Sequence, residues 1–145
     1  MPAAAHAPLP AVVLISGRGS NLQAILDRIA DAGLPVAVRA VLSDRAGAPG
    51  LARARAAQIP AIAVSPEEHP VPGDYDRALT ALIARHSPAL VVLAGFMRIL
   101  GPEVLEAYRG RLLNIHPSLL PKYRGLHTHR RALAAGERVH GCSVH

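Results

Sequence analysis

Short apolar runs alternate with helix-spaced segments along almost the whole chain, and this alternation restricts the fold more than any other feature. Residues 11–16 form a continuous apolar run, as a strand buried on both faces reads. Apolar residues at 22, 25, 26 and 29 then follow helical spacing over 22–32, and Gly33 is placed to end that helix. A second strand is expected at 36–42, a turn-rich break at 43–49, an Ala/Arg-rich helix at 50–58 ended before Pro60, and a third strand at 61–64. Residues 65–73 carry three prolines and two adjacent glutamates and predict an exposed loop. A helix over 74–86 follows, with Asp74 as its N-cap. Residues 89–94 are the most apolar strand, which predicts a central position. The pattern closes with a helix at 102–108 opened by a proline, a strand at 111–114, a loop at 117–125, a helix at 128–135 closed by Gly136, and a strand starting at 140. Such alternation predicts an α/β fold: a doubly wound, Rossmann-like, mostly parallel sheet with helices on both faces.

Composition narrows the class further. The chain has 145 residues, the size of one domain, and half of them are hydrophobic with a mean hydropathy of +0.23, which excludes a disordered chain. A single cysteine, Cys142, excludes an intramolecular disulfide framework and fits a reducing, cytoplasmic setting. The apolar run after Pro10 is too short for a signal h-region or a membrane span. A net charge of +6 raises the question of nucleic acid. However, aromatics make up only 3% of residues, and the arginines are scattered (Arg53, Arg55, Arg77, Arg85) rather than clustered. Solvated helix faces and one local anion site account for them better, so neither nucleic acid nor membrane is expected as a partner. Cys142-Ser143-Val144-His145 reads as a strand in progress with no turn or cap behind it, so a chain incomplete at its C-terminus is expected.

Three stretches carry chemistry. Gly17-Arg18-Gly19-Ser20-Asn21 lies between the first strand and the first helix, where glycines admit close backbone approach and free N–H groups favour an anion. It is neither the dinucleotide fingerprint nor a Walker A loop, since the later Gly and the Lys are missing. The plain alternative is a tight turn with Ser20 or Asn21 as helix cap. Asn114 and His116 stand two apart where a strand gives way to a loop that two prolines should hold extended, so both side chains face the same side. An amide donor and an imidazole can stabilise an oxyanion and move a proton, as acyl transfer demands; the plain alternative is a turn Asn and a packed His. Phe96-Met97-Arg98-Ile99-Leu100 follows the strand at 89–94, where core packing competes with a flat ligand lying on backbone groups. The histidines His127, His129, His140 and His145 near His116 invite a metal reading. They lack a helical i,i+4 pair and a nearby acidic ligand, so no metal is expected.

These stretches resemble the phosphoribosylglycinamide formyltransferases, the folate-dependent family of purine synthesis. Val12-Val13-Leu14-Ile15-Ser16-Gly17-Arg18-Gly19-Ser20-Asn21 is similar to the family's first strand and phosphate loop. Val91 through Leu100 is similar to its folate-side segment, and Asn114-Ile115-His116-Pro117-Ser118-Leu119-Leu120-Pro121-Lys122-Tyr123 to its catalytic signature. Gly125-Leu126-His127-Thr128-His129 continues that signature. The signature is shared with other formyl-folate enzymes, so transfer RNA or water remain alternative acceptors, as does a phosphate-binding fragment without turnover. The glycine loop and the Gly-Leu-His-Thr-His stretch favour the glycinamide ribonucleotide member.

The resemblance implies a formyltransferase domain over 1–145, moving formyl from 10-formyltetrahydrofolate to the amine of 5-phosphoribosylglycinamide. It implies phosphate binding by Gly19, Ser20 and Asn21, folate binding by Met97, Arg98, Ile99, Leu100 and Asn114, and catalysis by His116 and Asn114. The partners implied are these small molecules, with a homodimer left open. The chain departs from the family at two points. The family's catalytic Asp falls a few residues beyond the equivalent of His145, and a folate-contacting Arg has Pro72 in its place.

Overall fold

A computed structural model describes residues 6–145, which divide into two compact units, the first ending at Leu112 and the second spanning Leu113–His145. In the first unit four parallel strands, β1 (Leu9–Ile15), β2 (Val36–Ser43), β3 (Ala61–Ala63) and β4 (Leu90–Leu93), lie in the order β3-β2-β1-β4. The helices between them are α1 (Ser20–Ala32), α2 (Gly50–Ala56) and α3 (Asp74–Ala84), and α4 (Pro102–Ala107) follows β4. The chain steps outward from β1 to β3 and then returns to the other side of β1. Right-handed crossovers in opposite directions put α1 and α2 on one face of the sheet and α3 on the other, the doubly wound arrangement. In agreement, α1 packs on α2, and α3 on α4.

β4 lies in the interior of the strand order, as expected, and its neighbour β1 is the most deeply buried strand. Ala11, Val12, Val13, Leu14 and Ile15 are all at most 1% exposed, whereas in β4 only Val91 is buried. Strand alternation divides their side chains between two layers. Val12 and Leu14 join Ala40, Leu42, Leu79, Ile83, Val91 and Val104 in one cluster. Ile15 points the other way, against Gly50 at the start of α2. Burying a Leu or Ile side chain of this kind contributes about 1.5–3 kcal/mol, so β1 is the anchor from which the loop after it is suspended.

Two local expectations are corrected. Asp74 does not cap α3: the N-cap is Gly73 in the left-handed region, and the Asp74 carboxylate pairs with Arg77 one turn on. Residues 65–73 are not wholly irregular, because Pro66–Glu68 form a 3-10 turn in which Ser65 O accepts from the N–H of Glu68.

In the second unit, β5 (Leu112–His116), which starts at the boundary, pairs antiparallel with β6 (Ser143–Val144), and α5 (Thr128–Ala134) lies between them in sequence. Among the described residues the architecture is mostly parallel, with this one antiparallel pair. β5 runs two residues further than expected, so Asn114 and His116 both lie on the strand itself. The loop after it does not run extended. Ser118 N–H donates back to His116 O, Lys122 N–H donates to Leu119 O, and the buried Ser118 hydroxyl donates to Lys122 O at 2.6 Å, so the segment turns on itself. The prolines restrict φ there, but the serine hydrogen bonds set the path.

Candidate functional site

The first unit presents its glycine loop at the point where the strand order reverses, between the carboxyl ends of β1 and β4. Ser16, the first residue past β1, is buried and fastens the two ends together. Its N–H donates to Gly95 O at 3.1 Å, and its hydroxyl accepts from the N–H of Met97 at 2.8 Å. Gly17, Arg18, Gly19, Ser20 and Asn21 therefore share a cavity of about 300 Å³ with Arg45, Gly95 and Met97.

Neither Ser20 nor Asn21 caps α1. Gly19 is the N-cap, with φ of 74°, and no side chain bonds to the first turn. The N–H groups that open a helix have no partner within it, so this cavity is lined by backbone donors, the positive end of the helix dipole and two arginines. It can hold a dianion against backbone.

Gly19 and the first residue of α2, Gly50, meet backbone to backbone: a Cβ at Gly19 would come within 2.7 Å of Gly50 Cα. Both positions exclude any side chain. The sequence pattern singled out Gly19 but not Gly50, whose partner lies 31 residues away. It also passed over Ser16 and Arg45. For Ser16 there was a signal, a hydroxyl closing an otherwise apolar strand.

The run after β4 divides at Met97. Met97 borders the glycine-loop cavity, whereas Arg98, Ile99 and Leu100 line a second cavity of about 340 Å³ with Tyr75, Asp76 and Phe96. Phe96 and Leu100 pack on the core and hold the segment, while Ile99 is wholly exposed, free to meet a ligand. The Arg98 guanidinium lies over the Tyr75 ring, 5.4 Å from its centroid, and 4.0 Å from the buried carboxylate of Asp44. Among the described residues Asp44 Oδ1 and the Tyr75 hydroxyl are buried without a hydrogen-bond partner. Burial first, and then the Asp44 charge, push the Tyr75 hydroxyl up to about 12. Asp76 is occupied in structure: its carboxylate accepts from the N–H of Glu103 at 2.8 Å and caps α4. Pro72 is exposed just before α3.

The second unit holds Asn114 and His116. The backbone N–H and carbonyl of Asn114 both bond to His145, and the Asn114 side-chain amide donates to His145 Nε2 at 3.0 Å. His116 Nε2–H donates to Tyr123 O at 3.0 Å, which leaves Nδ1 as the free ring nitrogen. The loop that supplies Tyr123 O is tied down by Glu137, which accepts from Lys122 Nζ at 2.8 Å and from the Tyr123 hydroxyl at 3.0 Å. These two donors, Lys122 first, hold the Glu137 carboxyl below its ordinary range. His129 and His140 bond to each other at 2.9 Å, and no group of three or more potential metal ligands occurs among the described residues. No helix there is long and apolar enough to cross a membrane. His145 has a contact the pattern did not assign, because only the β5–β6 pairing sets it beside Asn114.

Comparison with known proteins gives the family of the chain. Residues 10–145 match the family described as formyl transferase. The chain is a member of the formyl transferase family. It is 55% identical over 134 residues to the phosphoribosylglycinamide formyltransferase of Escherichia coli K12, a match spanning 92% of this chain and 63% of that protein. It is 40% identical over 133 residues to the human trifunctional purine biosynthetic protein adenosine-3, spanning 92% of this chain and 13% of that one. Among solved structures, phosphoribosylglycinamide formyltransferase from Coxiella burnetii superposes with a TM-score of 0.91 at 56% identity, covering 95% of this chain and 65% of that one. Glycinamide ribonucleotide transformylase 1 from Symbiobacterium toebii gives 0.91 at 46% identity with the same coverages. The chain thus spans slightly less than two thirds of these bacterial formyl transferases.

Proposed function

We propose that the protein transfers the formyl group of 10-formyltetrahydrofolate to the amine of 5-phosphoribosylglycinamide. The observation that carries this reading is the glycine-loop cavity: unpartnered helix-opening N–H groups, Arg18 and Arg45, joined through Ser16 to the segment carrying Met97. A small phosphorylated acceptor fits it, whereas water gives those donors nothing to bind and transfer RNA offers them phosphodiesters of one negative charge each along a bulky polymer. The names of the bacterial relatives support the same acceptor.

In this reading the N–H groups of Gly19, Ser20 and Asn21 hold the ribonucleotide phosphate. Residues 97–100 receive the folate, by backbone and apolar contact. The acceptor amine attacks the formyl carbon, forming a C–N bond and a tetrahedral oxyanion. Asn114 donates to that oxygen, and His116, protonated at Nδ1 while Nε2–H stays on Tyr123 O, donates as well. Collapse breaks the bond to the folate nitrogen, which leaves with a proton from His116, and the proton shed by the attacking nitrogen returns to the His116 ring. An amide and an imidazole suffice for this sequence of steps, and no metal is invoked. The setting is that of a soluble purine-pathway enzyme in the cytoplasm.

The test is folate turnover followed spectroscopically with three acceptors: 5-phosphoribosylglycinamide, initiator transfer RNA, and water alone. The first is expected to be fastest. Faster turnover with either competitor overturns the assignment.

A further inference from the structure

The carbonyl groups of the glycine loop are held from the side of α2. Gly50 N–H donates to Gly17 O at 2.9 Å, and Arg53 Nε–H donates to Arg18 O at 2.8 Å. In a planar trans peptide the carbonyl and the N–H of the same unit point in opposite directions. Turning the Gly17 and Arg18 carbonyls toward α2 therefore aims the N–H groups of Arg18 and Gly19 away from it. Arg18 and Gly19 both line the 300 Å³ cavity, and among the described residues neither N–H bonds to the protein. An exposed carbonyl in that loop would repel an anion, so its orientation decides whether the loop attracts or rejects phosphate.

Arg53 does not itself line the cavity. Its guanidinium spans two elements, because Nη1 also reaches Gln23 Oε1 in α1 at 3.4 Å, and Gln23 in turn donates to Asp27 at 2.9 Å. We propose that Arg53 is a positioning residue for the anion loop: by holding the Arg18 carbonyl it aims the Gly19 N–H into the cavity and so sets the affinity for a phosphate monoester. The inference rests on the proposed phosphate role of the loop, not on formyl transfer. The backbone contact of Gly19 with Gly50 lets α2 come close enough for this brace, since neither residue carries a side chain to keep the helix away.

A pair of substitutions separates the brace from the charge. Arg53→Gln removes the charge but places an amide N–H the same number of bonds from Cα as Nε, so the bond to Arg18 O survives. Arg53→Met keeps the length of the stem and removes both charge and donor. Inorganic phosphate and ribose 5-phosphate are titrated into each variant, with the amide shifts of Gly19 and Ser20 giving the Kd and thermal unfolding checking the fold. Arg53→Met is expected to weaken both probes about tenfold, the scale of one lost hydrogen bond, and to move the free-state Gly19 shift. Arg53→Gln is expected to stay within about twofold of the parent, the small change left by a screened charge outside the cavity. The KM for folate is unchanged in both. Equal losses in the two variants would assign Arg53 to charge alone, and a parent-like Kd in Arg53→Met would make the brace idle. Either result overturns the proposal. If phosphate binds as expected but 5-phosphoribosylglycinamide is not formylated, the proposed reaction fails and the brace stands.

Discussion

The glycine loop and the Asn114/His116 strand are built by different means. The loop hangs from β1, the most buried strand, and is shaped by backbone: glycine contacts, peptide carbonyls drawn to α2, and a buried Ser16 hydroxyl. Asn114 and His116 are only partly buried and are oriented by single hydrogen bonds, one to a neighbouring ring and one to a loop carbonyl. A backbone-built site tolerates no added atom, and its side chains act on it from outside as braces, as Arg53 does on the Arg18 carbonyl. A side-chain-built site keeps its fold under substitution and loses its chemistry instead. Phosphate recognition and oxyanion chemistry are thus open to opposite kinds of damage.

Asn114→Ala should show the contrast at its largest. Removing one oxyanion donor is expected to lower the single-turnover rate by about 10²–10³ while ribonucleotide affinity and thermal stability hold. A near-parent rate would move Asn114 from the chemistry to the β5–β6 pairing. Gly19→Val attacks the other region. A β-branched residue at φ of 74°, with its Cβ against Gly50, displaces the loop. Strain of about 1–3 kcal/mol corresponds to roughly 5–150-fold weaker ribonucleotide binding. Calorimetry should show folate affinity nearly intact, and equal loss of both ligands would mean a folding defect.

Ser16→Ala is a milder probe of the same region. It leaves the N–H of Met97 without its part-buried acceptor, at a cost of about 0.5–1.5 kcal/mol in stability. Denaturant unfolding would detect it, and an unchanged midpoint would mean the segment relaxes to a new partner.

Titration should separate the regions with the smallest effects. Glu137 has a depressed pKa in the fold, so its contribution to the second unit is present above its ordinary 4.5 and fades as pH falls through the lower folded value. Tyr75 has a raised pKa, so its contribution to the first unit is complete below 10 and is lost as pH rises toward about 12. Amide exchange should therefore loosen around Lys122 and Tyr123 first in acid, and Tyr75→Phe should flatten the alkaline loss around α3. Uniform loosening at either extreme would show the two units unfolding together.

Much of this was legible in the chain itself. Apolar runs and Gly33 mark β1, α1 and β2 to within two residues at each end, because a largely buried strand has few polar positions to confuse the pattern. The glycine loop and the Asn-Ile-His spacing were also visible, since each is a local arrangement whose chemistry depends on adjacent residues. The cap of α3 differs from the expectation because Asp74 meets a cation one turn along, and local propensity does not say which partner a carboxylate takes.

What the sequence determined by itself was the order of elements and the residue types able to bind phosphate and stabilise an oxyanion. Only the tertiary structure decided how they are held. Gly50 against Gly19, Arg53 on the Arg18 carbonyl, Ser16 on Met97 and His145 on Asn114 join positions 31 to 81 residues apart. Such contacts leave no periodic trace, because they arise where separate strands end side by side, and that depends on how the chain winds and not on its neighbours in sequence.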